Sequence, residues 1–140
     1  MGRISGPLMD RFDMRVDVPP VAFTDLDLPP SGDCSEKVAE RVAAARARQH
    51  ARFDTGNGPG AKPCLNADTV GDMLDEVARP DDEGRALLTK VAERFGLSAR
   101  GYHRVLRVAR TIADLDLSDA VRRPHVAEAV SYRLGPSAES

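Results

Sequence analysis

The sequence predicts a mainly α protein, a small bundle of five helices preceded by one short isolated β-strand and a proline-rich linker. Three observations carry this. Hydrophobic residues make up 41% of the 140-residue chain, yet only 4% are aromatic and none is Trp, so burial falls to Ala, Val and Leu on helix faces. From residue 35 onward, apolar residues recur at three- and four-residue intervals in five segments, each bounded by capping or breaking residues. Alternation occurs once, close to the N-terminus, and no second alternating stretch follows for it to pair with.

That stretch places Val16 and Val18 on either side of Asp17, with Pro19 and Pro20 as a stop, and predicts a strand over Asp13–Val18. "FTDLDLPPSGD", Phe23–Asp33, has the prolines, glycine and acids of a linker. The first helix is "SEKVAERVAAARARQHARF", with Ser35 as N-cap and Val38, Val42, Ala45, Gln49 and Phe53 along one face. "DTGNGPGAKP" breaks it and predicts a mobile surface loop. "NADTVGDMLDEV" predicts a short second helix with Val70, Met73, Leu74 and Val77 on one face.

The third helix has Asp81 or Asp82 as cap, Leu87, Leu88 and Val91 as its apolar residues, and Gly96 as its stop. Helix four starts at cap Ser98 and turns Val105, Ile112 and Leu115 to the core, and helix five carries Pro124 in its first turn.

Composition excludes several function classes. The formal net charge of −2 gives no global attraction to nucleic acid, so only local clustering can argue for it. Cys34 and Cys64 stand alone, and His50, His103 and His125 keep no metal-site spacing from them, so neither zinc, any other metal site nor a disulfide framework is expected. No stretch approaches the about 18 apolar residues of a membrane helix, and no signal-like apolar region opens the chain. The expected location is the cytoplasm.

Clustering occurs in helix four. Arg100, Arg104, Arg107 and Arg110 follow at three- and four-residue steps, with no acid before Asp114, opposite Val105, Ala109 and Ile112. Three readings stand open. The row is a solvated face; or it is a recognition helix on a DNA backbone, with Arg104, Arg107 and Arg110 as contacts; or an arginine near the helix start meets a nucleotide phosphate in a bidentate way lysine does not copy. Arg11 is similarly double. Beside Asp10 and Asp13 it is a surface ion-pair partner of little energetic weight, or it reaches across a subunit boundary to a neighbour's γ-phosphate.

"SGPLMDRFD", a proline-rich break, "AERVAAARARQ", "LSARGYHRVLRVARTIADL" and "VAEAVSYR", in that order, resemble the C-terminal portion of the magnesium-chelatase-like AAA+ ATPases of the ComM and YifB type. The resemblance spans nearly the whole chain. "SARGYHRVLRVARTIADL" is its most specific phrase, while "SGPLMDRFD" is shared more loosely with chelatase and MCM-helicase relatives.

The resemblance implies a ring-forming homo-oligomer, a hexamer by family, that uses ATP and Mg2+ to remodel DNA in recombination or competence. In it, residues 1–22 are a remnant of the α/β core, 23–34 a linker, 35–134 a helical lid and 135–140 a disordered tail. Arg11 takes the place of the arginine finger donated in trans, Ser5 and Gly6 belong to its loop, and Arg100 takes the sensor-2 place facing the ATP phosphate. No "GxxxxGK[ST]" phosphate loop occurs, and no acidic Walker B strand precedes Arg3. The chain alone is therefore expected neither to bind ATP and Mg2+ tightly nor to hydrolyse ATP, and Met1 reads as an internal start, the start of a truncated gene or the edge of an excised piece, with the core and a Lon-protease-like region missing ahead of it. The alternative from another class is a free-standing helical module that binds DNA or protein through the arginine row. Magnesium insertion into a porphyrin ranks below both.

Overall fold

Two of the helices start at side-chain caps in the computed structural model, which describes residues 8, 11–29, 32–54 and 65–135. The five helices are α1 (Ser35–Phe53), α2 (Gly71–Val77), α3 (Asp82–Phe95), α4 (Ala99–Leu115) and α5 (Arg123–Leu134), with 3-10 turns at Phe23–Asp25 and Asn66–Asp68. Asp81 is the cap of α3, its Oδ1 accepting from the Gly84 N–H at 2.7 Å, and Gly96 ends that helix in the left-handed conformation (φ 60°, ψ 44°) that a residue with a side chain rarely adopts. Ser98 caps α4 through Gly101 N–H at 3.1 Å.

The core is built around α4. Its buried side includes Val105, Leu106, Ala109 and Ala113, packed with Leu74 of α2, Leu88 of α3, Val121, and Val126 and Ala129 of α5. Leu74 and Leu88 are each about 1.5–3 kcal/mol more favourable here than in water. Alanines at the centre set a close fit between helices. Gly84 is part of the same fit, since a Cβ there would stand 3.1 Å from Pro80 Cβ and 3.2 Å from Val126 Cγ2. Gly84→Ala is therefore expected to destabilise by about 1–2 kcal/mol through overpacking, where an open helical site would gain; urea unfolding midpoints measure the sign.

Three expectations are corrected. The strand over Asp13–Val18 does not form: residues 14–22 have no regular secondary structure, and the one bridge among the described residues joins Pro80 to Val121. A strand needs a neighbour to pair its main chain, and here the Arg15 N–H donates instead to Tyr132 O at 2.8 Å, leaving Val16, Val18 and Val21 exposed.

The second helix is split. Asn66 is drawn into the interior and the Thr69 hydroxyl donates to its carbonyl at 2.6 Å, a local bond that competes with helix, so the chain makes a 3-10 turn and restarts at Gly71. Val70 and Met73, predicted inward, are exposed.

In α1, Cys34 rather than Ser35 occupies the cap position, and only half of the predicted face is covered: Ala45 and Gln49 are buried, Val38 and Val42 exposed. Gly135, placed in the predicted disordered tail, is buried. Ser5, Gly6, loop residues 55–63 and the rest of the tail lie outside the described residues. Among those described, no helix is long and apolar enough to cross a membrane.

Candidate functional site

Arg100 sits in the first turn of α4, exposed, two residues after the cap. The free N–H groups of a helix start carry partial positive charge, and no acid in that turn offsets it. An exposed guanidinium at a positive helix end is a fit for a phosphate group. Arg11 is also exposed, its main chain held by a bond from its N–H to Leu8 O at 3.0 Å. By contrast, no group of three or more His, Cys, Asp or Glu among the described residues can hold a metal ion.

The other arginines of α4 are differently employed, and the single arginine face does not form. Arg104 is 18% exposed and donates from Nη1 to Asp13 Oδ1 at 2.5 Å. Arg107 Nε donates to Thr69 O at 2.8 Å. Arg110 is inside the protein, donating to Asp119 O at 2.8 Å, Ser118 O at 2.7 Å and Asp114 Oδ1 at 3.0 Å. Helical drift explains this. Steps of four, three and three residues average less than the 3.6 of a turn, so by Arg110 the row has rotated roughly 80° towards the apolar side.

Behind the arginines lies a buried network that sequence reasoning missed. Asp114 has no exposed surface and accepts from Arg52 Nη2 at 2.5 Å and Nη1 at 3.0 Å, from Arg110 Nη2 at 3.0 Å and from Asn66 Nδ2 at 2.8 Å. Arg52 Nη1 also donates to Asn66 Oδ1 at 3.0 Å, and the Asn66 N–H donates to Gln49 Oε1 at 3.1 Å. One carboxylate thus ties α1, the Asn66 turn and α4 together. Arg48 adds a surface ion pair with Asp119.

Burial pushes the Asp114 carboxyl up, but the bonds from Arg52 and Asn66 and the charge of Arg110 outweigh it and hold it below the usual carboxylate value. The available signal was the i,i+4 spacing of Arg110 and Asp114 inside an otherwise apolar stretch. Nothing in the spacing of Gln49, Arg52 and Asn66 indicated that they meet.

Residues 32–133 match the family model of the magnesium chelatase subunit ChlI C-terminal domain. The chain belongs to that family. This magnesium-chelatase C-terminal chain is 38% identical over 135 residues to the uncharacterised protein YifB of Escherichia coli (strain K12) and 34% identical over 134 residues to competence protein ComM of Haemophilus influenzae. An uncharacterised protein of Mycobacterium bovis is 35% identical over 136 residues. Each match covers 95% of this chain and 25% of the relative, so the chain spans about a quarter of the length of the curated relatives it matches. The ComM and YifB resemblance is borne out, as is a small helical bundle. The magnesium-chelatase match begins at residue 32 and contains Arg100, whereas Arg11 lies ahead of it, within the 95% of the chain that the relatives' longer alignments cover.

Proposed function

We propose that the chain is the sensor and lid portion of a ring-forming ATPase of this family, coupling ATP hydrolysis to remodelling of DNA in recombination or competence. The observation that carries the reading is Arg100, exposed at the start of α4 while Arg104, Arg107 and Arg110 are bonded within the chain. Family membership and the name of the Haemophilus relative support it.

In this reading ATP, with Mg2+ held by a nucleotide-binding core outside this chain, supplies the phosphoryl bond whose cleavage drives movement. Arg100 pairs with a phosphate of that nucleotide and releases it after cleavage. Because α4 is tied to α1 through Asp114 and to α5 through the core, a pull on Arg100 moves the bundle as a body rather than one side chain. Arg11 completes the site of the neighbouring subunit, stabilising the charge that develops during transfer. The chain alone binds no nucleotide tightly and does not turn it over.

The test is ATP turnover by the full-length protein carrying Arg100→Ala. A fall of at least about 10-fold in kcat, of the order expected from a lost charge-assisted contact, with an unchanged unfolding midpoint, supports the reading. Unchanged turnover overturns it.

A further inference from the structure

The segment that follows Arg11 is fastened to α4 and α5 by bonds that span most of the chain. Arg104 Nη1 reaches Asp13, Arg133 Nη1 donates to Phe12 O at 2.6 Å, the Arg15 N–H donates to Tyr132 O at 2.8 Å, and Arg15 Nη2 donates to Leu134 O at 2.8 Å. Close packing does not hold it. An open groove of about 220 Å³ runs along it, lined in part by Met14, Ile112, Glu128 and Tyr132.

Two further features show a built contact. Gly135 has φ 74° and ψ 178°, a conformation essentially confined to glycine, and a Cβ there would stand 2.5 Å from Arg15 Nη2 and 3.1 Å from its Cζ. The bare backbone of Gly135 is what gives Arg15 its seat. Arg104, mostly withdrawn from water, has a buried Nε with no hydrogen-bond partner among the described residues, and its charge is paired with Asp13. Asp13 is two residues from Arg11, and Arg104 is about one helical turn from Arg100.

From this geometry we infer that Asp13, Arg15, Arg104 and Gly135 form a latch that makes the Arg11 segment and the Arg100 end of α4 move together. Its functional consequence rests on the reading above. A displacement of α4 at one nucleotide site is carried through Arg104 and Asp13 to Arg11 at the next, which couples neighbouring sites in a ring. The latch residues are positioning residues and touch no nucleotide.

The test begins with this 140-residue chain, Cys34 and Cys64 replaced by Ser and nitroxide labels attached at positions 11 and 100. A narrow distance distribution is expected, and Asp13→Asn, in a half-exposed side chain outside the helical core, broadens it. Asp13→Glu restores it, and Gly135→Ala broadens it by displacing Arg15 without touching the ion pair. A distribution unaltered by both Asp13→Asn and Gly135→Ala overturns the latch.

In the full-length protein, Asp13→Asn is expected to lower kcat by up to roughly 100-fold through misplacement and to abolish cooperativity in ATP, with KM little changed and Asp13→Glu rescuing both. Broadening without any change in turnover or cooperativity overturns the coupling. If Arg11→Ala and Arg100→Ala leave turnover untouched while Asp13→Asn still broadens the distances, the phosphate-reading assignment has failed and the latch has not.

Discussion

Replacing Asp114 by Ala is expected to lower the stability of the chain by about 3–5 kcal/mol. Four donor bonds from Arg52, Arg110 and Asn66 end on this carboxylate, which has no exposed surface. Its removal leaves Arg110 charged in the interior, with the Ser118 and Asp119 carbonyls as its acceptors among the described residues, and cuts the tie from α1 to α4. Because domain stabilities are about 5–15 kcal/mol, this is a large share of the total. Urea unfolding measures the loss, and a cost under about 1 kcal/mol, the range of surface pairs, would show that the network is dispensable.

The same carboxylate gives a pH signature. Its pKa is lower in the folded chain than in the unfolded one, so the folded state binds fewer protons. Its contribution is therefore complete above the unfolded aspartate value of about 3.9 and is lost as pH falls through the folded value. Wild-type stability is expected to decline in that acidic window by more than that of Asp114→Asn, which has no proton to take up. Parallel acid profiles would assign the decline to other carboxylates.

In rings whose subunits carry both a nucleotide core and this chain, Arg11→Ala is expected to reduce kcat roughly 10³-fold or more, the range of arginine fingers. Folding should be untouched, because Arg11 is exposed and its described bond is through its main chain. Arg11→Lys should rescue little, since a point charge does not reproduce the fork that grips two phosphate oxygens. Near-normal turnover in Arg11→Ala would remove Arg11 from the phosphate-reading role.

Capping chemistry and helix period made most of the bundle legible: Gly96, Ser98 and Pro124 mark boundaries that the chain uses, and Asp81 rather than Asp82 supplies the α3 cap. Failures came where long-range partners decide. Alternation at Val16 and Val18 indicates a strand only if a second strand is at hand, and among the described residues none is. Asn66 reads as the start of a helix until Asp114, distant in sequence, draws its amide inward. The arginine row of α4 was visible as a charge pattern, but its division into exposed Arg100, latched Arg104 and buried Arg110 follows from helical drift and from Asp13 and Asp114, which no local window contains. The family resemblance reached the candidate site because "SARGYHRVLRVARTIADL" is read as a whole, whereas the network behind it depends on residues dispersed over three elements.

Subunit complementation tests the shared phosphate-reading role most directly. Full-length subunits carrying Arg11→Ala are mixed with full-length subunits whose core cannot bind ATP, and turnover is compared with that of each alone. Donation of Arg11 in trans predicts recovery in the mixture, because an intact nucleotide site then meets an intact Arg11 from its neighbour. Mixed rings that assemble yet stay as inactive as their parents would contradict it.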